Sequence, residues 1–277
     1  MAEKEMLILR EVYKTFNPGT ITEKTALNGV NLTLEKGDFV TVIGGNGAGK
    51  STMLNAIAGT FPVDRGNILL GGREITRLPE HRRAALLGRV FQDPMTGTAA
   101  SMNIEENLAL ANRRGQPRGL RWGITAKERE QYREKLSSLE LGLENRMGSK
   151  VGLLSGGQRQ ALTLLMATLK HPELLLLDEH TAALDPKTAE KVLRLTNQLI
   201  RENGLTAIMV THNMKDALAL GNRTIMMHEG RVILDLDAEQ KKEMTVEGLL
   251  EQFEKVSGRE LSNDRMLLTM SHGDGSH

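Results

Sequence analysis

Eight residues, Gly44-Gly45-Asn46-Gly47-Ala48-Gly49-Lys50-Ser51, constrain this chain more than any others. Before them stands an apolar pentapeptide, Phe39-Val40-Thr41-Val42-Ile43, which reads as a buried strand. After them, residues 51–59 carry Met53, Leu54, Ile57 and Ala58 on one helical face, with Gly59 as the stop. The loop fits G-x-x-x-x-G-K-[ST]. Its glycines let backbone N–H groups converge on phosphate oxygens with no Cβ in the way. The helix that starts near Lys50 aims its partly positive N-terminus at the same oxygens. Lys50 is placed for β- and γ-phosphates and the Ser51 hydroxyl for Mg²⁺. Asn-Lys-x-Asp, the tetrapeptide with which Ras-type GTPases read guanine, does not occur.

Composition narrows the classes further. At 277 residues the chain suits one large domain or two small ones. Lys plus Arg number 36 and Asp plus Glu 35, so the net charge is +1 and argues against a basic nucleic-acid binder. With no cysteine, disulfides, cysteine-ligated zinc, iron–sulfur clusters and thiol catalysis are excluded. No stretch approaches the ~18 apolar residues a membrane span needs. The charged start, Met1-Ala2-Glu3-Lys4-Glu5, lacks the apolar region of a signal peptide.

Strand signals recur at Met6–Leu9, 27–34, 39–43, Leu174–Leu177, Thr206–Val210, Ile225–Met227 and Arg231–Leu234. A hairpin is expected near Asn67–Leu70, closed by Gly71-Gly72, and another across Glu229-Gly230. Helical patterns fill 51–59, 187–202 and Met214–Leu220. Strands alternating with helices imply a mostly parallel α/β sheet. The middle, about 93–165, is helical in composition, with an excess of Lys and Arg in 113–135 and a Gly/Pro loop at 113–122. Beyond Asp237 the chain is polar and helical, and Ser271–His277 reads as disordered.

Leu154-Ser155-Gly156-Gly157-Gln158 precedes a helix-like run. It suits an ordinary capped helix start, or a second anion site made of a serine hydroxyl, glycine N–H groups and a helix N-terminus. In this order after a phosphate loop, the pentapeptide resembles the signature of ATP-binding cassette (ABC) ATPases, and the likeness covers about 1–236. The resemblance implies a P-loop NTPase (RecA-like) core with a mostly parallel sheet, an antiparallel β subdomain and an inserted helical subdomain at about 93–165. Residues 237–277 are then a helical extension and tail.

The resemblance also assigns residues. Leu174–Asp178 is similar to the Walker B strand, with Asp178 on Mg²⁺ and Glu179 as the catalytic glutamate. Adjacent residues at a strand end point to opposite sides, so one carboxylate can serve the metal and the other the attacking water. Gln92, in Val90-Phe91-Gln92-Asp93-Pro94, resembles the Q-loop glutamine that touches Mg²⁺ and water. His212 resembles the switch histidine of the γ-phosphate, and Ala183-Leu184-Asp185 the loop that crosses a dimer interface. Phe16, in Val12-Tyr13-Lys14-Thr15-Phe16, stands where the family stacks an aromatic on adenine, with Tyr13 as competitor. ATP contacts are thus expected from Phe16, Gly44, Asn46, Gly47, Ala48, Gly49, Lys50, Ser51, Thr52, Ser155, Gly156, Gly157, Gln158 and Asp185. The metal set is Ser51, Gln92 and Asp178. Departures are Gly45 for the usual Pro or Ser, His180 for Pro, and Ala182 for the serine of the crossing loop.

The family implies two copies packed head to tail, with ATP between the Lys50 loop of one and Ser155 of the other. It also implies permease subunits on separate chains, docked beside Gln92 around 95–101, and a place on the cytoplasmic face of the membrane. Stretches 39–46, 91–98 and 178–186 resemble the ATPase subunits of bacterial tryptophan/tyrosine uptake systems, which relate to branched-chain amino acid importers and use an extracellular substrate-binding lipoprotein. An exporter ATPase and a non-transport cassette on DNA or ribosomes are the alternatives; a single cassette has no room for the coiled coils or second cassette of the latter. The basic loop 113–123 faces solvent or anionic headgroups.

Overall fold

In the computed structural model, residues 5–116 and 123–257 are described. In chain order the elements are β1 (Glu5–Phe16), β2 (Lys24–Glu35), β3 (Phe39–Ile43), α1 (Lys50–Ala58), β4 (Arg65–Leu70), β5 (Arg73–Glu74), α2 (Glu80–Arg83), β6 (Leu87–Val90), α3 (Ile104–Asn112), α4 (Ala126–Ser137), α5 (Gly156–Thr168), β7 (Leu174–Asp178), α6 (Pro186–Glu202), β8 (Ala207–Val210), α7 (Met214–Ala219), β9 (Arg223–His228), β10 (Arg231–Leu236), α8 (Ala238–Glu243) and α9 (Val246–Ser257). The chain divides into two compact units, Met1–Pro79 with Thr206–His277, and Glu80–Leu205.

The first unit holds two sets of strands. One is antiparallel, in the order β2-β1-β4-β5. The other places β3 between β8 and β9, parallel to both, with β10 antiparallel beyond β9. All five residues of β3 are buried, as expected of a strand covered on both faces. The first strand is longer than its opening apolar run predicts. Alternation breaks at Glu11, whose φ of 47° lies in the left-handed region, with the β1–β2 register shifting between Leu9 and Val12. Asn31 Oδ1 accepts the Glu11 N–H at 3.0 Å, and Val12 returns to the buried face.

The second unit pairs β6 with β7 in parallel and gathers α3–α6. Its apolar cluster includes Ile104, Leu108, Tyr132, Leu136, Leu143, Leu162 and Leu165. Helix starts follow their caps: Thr125 and Glu128 form a capping box on α4, and Asp185 with Pro186 opens α6. The short strand β6 is absent from the sequence reading, because Gly88 and Arg89 interrupt its apolar pattern. Gly88 is there for proximity: a Cβ would lie 2.6 Å from Ala167 O. Of the basic stretch, residues 117–122 lie outside the described residues, as does 271–277. Arg113 is used internally, donating to Gly123 O and, at 3.1 Å, to Glu128; Arg114 donates to Ala167 O at 3.3 Å. These two are therefore neither simply solvated nor offered to lipid.

Candidate functional site

In the first unit the phosphate loop joins β3 to α1, as its sequence predicts. Lys50 is 6% exposed and turns back into the loop, donating to Gly44 O at 2.8 Å and Gly45 O at 3.0 Å. Those carbonyls hold an ammonium where phosphate oxygens would compete for it. β2 lies alongside: Lys24 Nζ is 3.2 Å from where a Cβ on Gly47 would stand, and Ala26 O is 2.5 Å from one on Gly49. Lys24 pairs with Phe16 in the β1–β2 register, so the same strand edge carries Phe16 toward the loop. Phe16 packs edge-on against Phe61 at 5.2 Å, with Lys14 Nζ 5.5 Å from both rings and 3.0 Å from Asp64. Tyr13 is occupied elsewhere: its hydroxyl donates to Glu11 at 3.1 Å and Arg65 covers its ring. His212 follows β8, where Thr211 N–H donates to Val42 O at 3.1 Å, two residues before Gly44. Phe16, the loop and His212 thus gather at one end of this unit.

The second unit gathers the remaining motifs. Val90 pairs with Leu177, so the two strands end side by side, with Gln92 leaving one and Asp178-Glu179 the other. Glu179 has φ 43°, a left-handed backbone in a non-glycine residue at the strand end. Phe91, just before Gln92, is held twice. The Arg89 guanidinium lies 4.4 Å over its ring, and Gln160 Nε2 donates to its carbonyl at 3.4 Å. Burial lowers the pKa of Arg89, opposed by the charges of Asp178 and Glu80. Ser155 and Gln158 form a capping box: Ser155 Oγ accepts from Gln158 N–H at 3.3 Å and Gln158 Oε1 from Ser155 N–H at 3.2 Å. Gly157 lets α5 approach α6, since a Cβ would sit 2.2 Å from Thr188 Cγ2. Thr188 N–H in turn donates to the Asp185 carboxylate at 3.1 Å, the α6 cap, which lowers the Asp185 pKa. Ser155, Gln158 and Asp185 therefore each carry a local structural duty.

His180 and Gln160 lie outside the predicted site set. Gln160 is fully buried and its Oε1 has no hydrogen-bond partner among the described residues. Its burial is a product of the fold, and a single Gln inside a helical run gives no signal of it in the sequence. His180, where the family favours Pro, is buried with Nε2 3.0 Å from Thr196 Oγ1, and burial pushes its pKa down to about 4. It stays neutral in the fold, while in the unfolded chain it takes a proton below about 6.5. Its stabilising contribution is complete above that pH and falls away as pH drops toward 4, by about 3 kcal/mol in all. Urea unfolding of wild type and His180→Gln between pH 7 and 4.5 checks this. The variant should lose part of the acid sensitivity; equal steepness in both would remove His180 as its source.

Strand, phosphate loop and helix, with a serine-capped helix that opens on two glycines and paired strand-end carboxylates, define a P-loop ATPase cassette. The profile of the ABC transporter family matches residues 27–182. A tyrosine transport ATP-binding protein of Clostridioides difficile strain R20291 is 44% identical over 249 residues, 90% of this chain and 99% of that one. The methionine import ATP-binding protein MetN of Rhizobium johnstonii is 34% identical over 84% of this chain, which spans 61% of that protein's length. The solved dimeric cassette MJ0796, in a post-hydrolysis state with ADP and Pi, superposes with a TM-score of 0.71 at 32% identity, covering 84% of this chain and 99% of that one. The chain belongs to the ABC transporter family and is one of its ATPases. Among the described residues no helix is long and apolar enough to cross a membrane.

Proposed function

We propose that this ATPase powers an importer for an amino acid or similar small solute from the cytoplasmic face of the membrane. The observation that carries this is the 44% identity, over nearly the whole of both chains, to a tyrosine transport ATP-binding protein. The permease sits on other chains, and a substrate-binding lipoprotein delivers the solute to it from outside.

Two copies pack head to tail, and each ATP lies between the Lys50 loop of one copy and Ser155, Gly156, Gly157 and Gln158 of the other. Phe16 stacks on adenine; the engagement of Tyr13 with Glu11 and Arg65 favours Phe16 over it. Asn46, Gly47, Ala48, Gly49, Ser51 and Thr52 direct loop and helix N–H groups at phosphate oxygens. The oxygen donors of Ser51, Gln92 and Asp178 suit a hard cation such as Mg²⁺. That ion, when bound, offsets charge on the transferred phosphoryl group. Glu179 accepts the proton of the attacking water, Gln92 and His212 orient it, and Lys50 stabilises the developing charge. Asp185 lies in the loop that crosses between copies.

Affinity purification from gently solubilised native membranes, with partners identified by mass spectrometry, tests the importer reading. A multi-span permease together with a lipoprotein is expected. A permease alone would point to export, and no membrane partner would overturn the transport role.

A further inference from the structure

The C-terminal extension, α8 and α9, has no task in the proposed mechanism. Its contacts converge on one element. α7 begins two residues after His212, and its N-cap Asn213 accepts from Lys215 and Asp216 N–H groups. At the other end of α7, Lys241 of α8 donates to Leu220 O and, at 3.4 Å, to Gly221 O. Lys241 is only 7% exposed. Burial pushes its pKa down to about 8, so at neutral pH it is still an ammonium with protons to donate. A cation on the last carbonyls of a helix is also favoured by the helix dipole.

The face of α7 is held as well. Met214 and Ala217 are buried in one cluster with Leu249 and Phe253 of α9, together with Ile43, Met226 and Leu236. Phe253 also meets the His228 ring edge-on at 5.7 Å. Ile43 is the residue that immediately precedes Gly44, so one apolar cluster underlies both the root of the phosphate loop and the helix after His212. On the strand side, Thr41 Oγ1 donates to Ala217 O at 2.9 Å and Thr224 Oγ1 to the same oxygen at 3.2 Å. α7 is six residues long, less than two turns. Isolated helices of that length do not persist, so its position is set by what surrounds it.

We propose that the extension is a positioning device for His212. Lys241 anchors the far end of α7, Leu249 and Phe253 its apolar face, and the helix then presents His212 in its working orientation. Lys241 is a positioning residue here, not a catalytic one. The inference rests on the switch role proposed above for His212.

The test uses the full chain. Lys241→Met keeps the apolar stem and removes the donors; its ATPase kcat should fall about tenfold, the scale expected when a group at the reacting centre is slightly misplaced, with KM for ATP little changed. Lys241→Arg should restore most of the rate. In ¹⁵N-histidine NMR spectra, the His212 signal is the one missing from His212→Ala. It should shift or broaden in Lys241→Met, while that of exposed His81 stays in place. Should Lys241→Met fail to fold, Phe253→Leu is read in the same way. Wild-type turnover with an unmoved His212 signal overturns the proposal. So does a loss of rate with an unmoved signal, which means that Lys241 acts through something other than His212. If His212→Ala itself hydrolyses normally, the switch reading fails and this proposal with it; if only Lys241→Met is silent, this proposal fails alone.

Discussion

Replacing Glu179 by Gln should lower ATP turnover by more than about a hundredfold, the scale of a lost general base, while leaving ATP binding intact. Gln has the length and shape of Glu but cannot take a proton from water. The strained backbone of residue 179, φ 43°, is the same strain for either side chain and cancels in the comparison. The carbonyl of Glu179, which accepts the Ala182 N–H at 3.0 Å, is untouched, so the turn behind it persists. With hydrolysis blocked, the ATP-held pair of copies should accumulate. Phosphate release measures the rate, and sedimentation with and without ATP measures the pairing. Wild-type turnover in the variant would remove Glu179 from the role given to it.

Gly44→Ala should abolish nucleotide binding and destabilise the fold by about 3 kcal/mol or more. Two causes act together. Gly44 has φ 147°, a region that L residues rarely adopt, and its Cβ would stand 2.2 Å from Met227 O and 3.2 Å from Ala48 Cβ. Met227 cannot retreat easily: it belongs to β9, whose neighbour Met226 pairs with Ile43. Gly37→Ala separates the causes. Gly37 also has positive φ, 87°, but nothing lies within 4 Å of its Cβ position. That variant should cost about 1 kcal/mol and bind ATP normally. Urea unfolding and titration with a fluorescent ATP analogue read both variants; equal losses would mean that contact with Met227 has no part in the effect.

Much of the cassette is legible in the chain because its motifs are local. The phosphate loop is eight consecutive residues, and the strand before it and helix after it appear where Phe39–Ile43 and residues 51–59 predict them. The apolar run Leu174–Leu177 became β7, and the 187–202 periodicity became α6 with one residue more at its start. Failures came where a long-range contact overrides the local pattern. β1 continues past Leu9 because a bulge at Glu11, tied to Asn31 on the neighbouring strand, restores the buried face. β6 is a strand because it pairs with β7 and lies against α5, while its own Leu-Gly-Arg-Val has little alternation.

The chemistry follows the same division. The phosphate loop is legible because binding phosphate at a helix N-terminus needs particular residues at fixed short spacings, and its order with the Ser155 pentapeptide and the Asp178-Glu179 pair carries the resemblance to ABC ATPases. Only the tertiary structure decides that His180 is a neutral buried partner of Thr196, that Gln160 reaches Phe91 O, and that Lys241 caps the helix after His212. A lone His, Gln or Lys in a sequence has many fates. Burial and a partner brought from far along the chain are what choose among them.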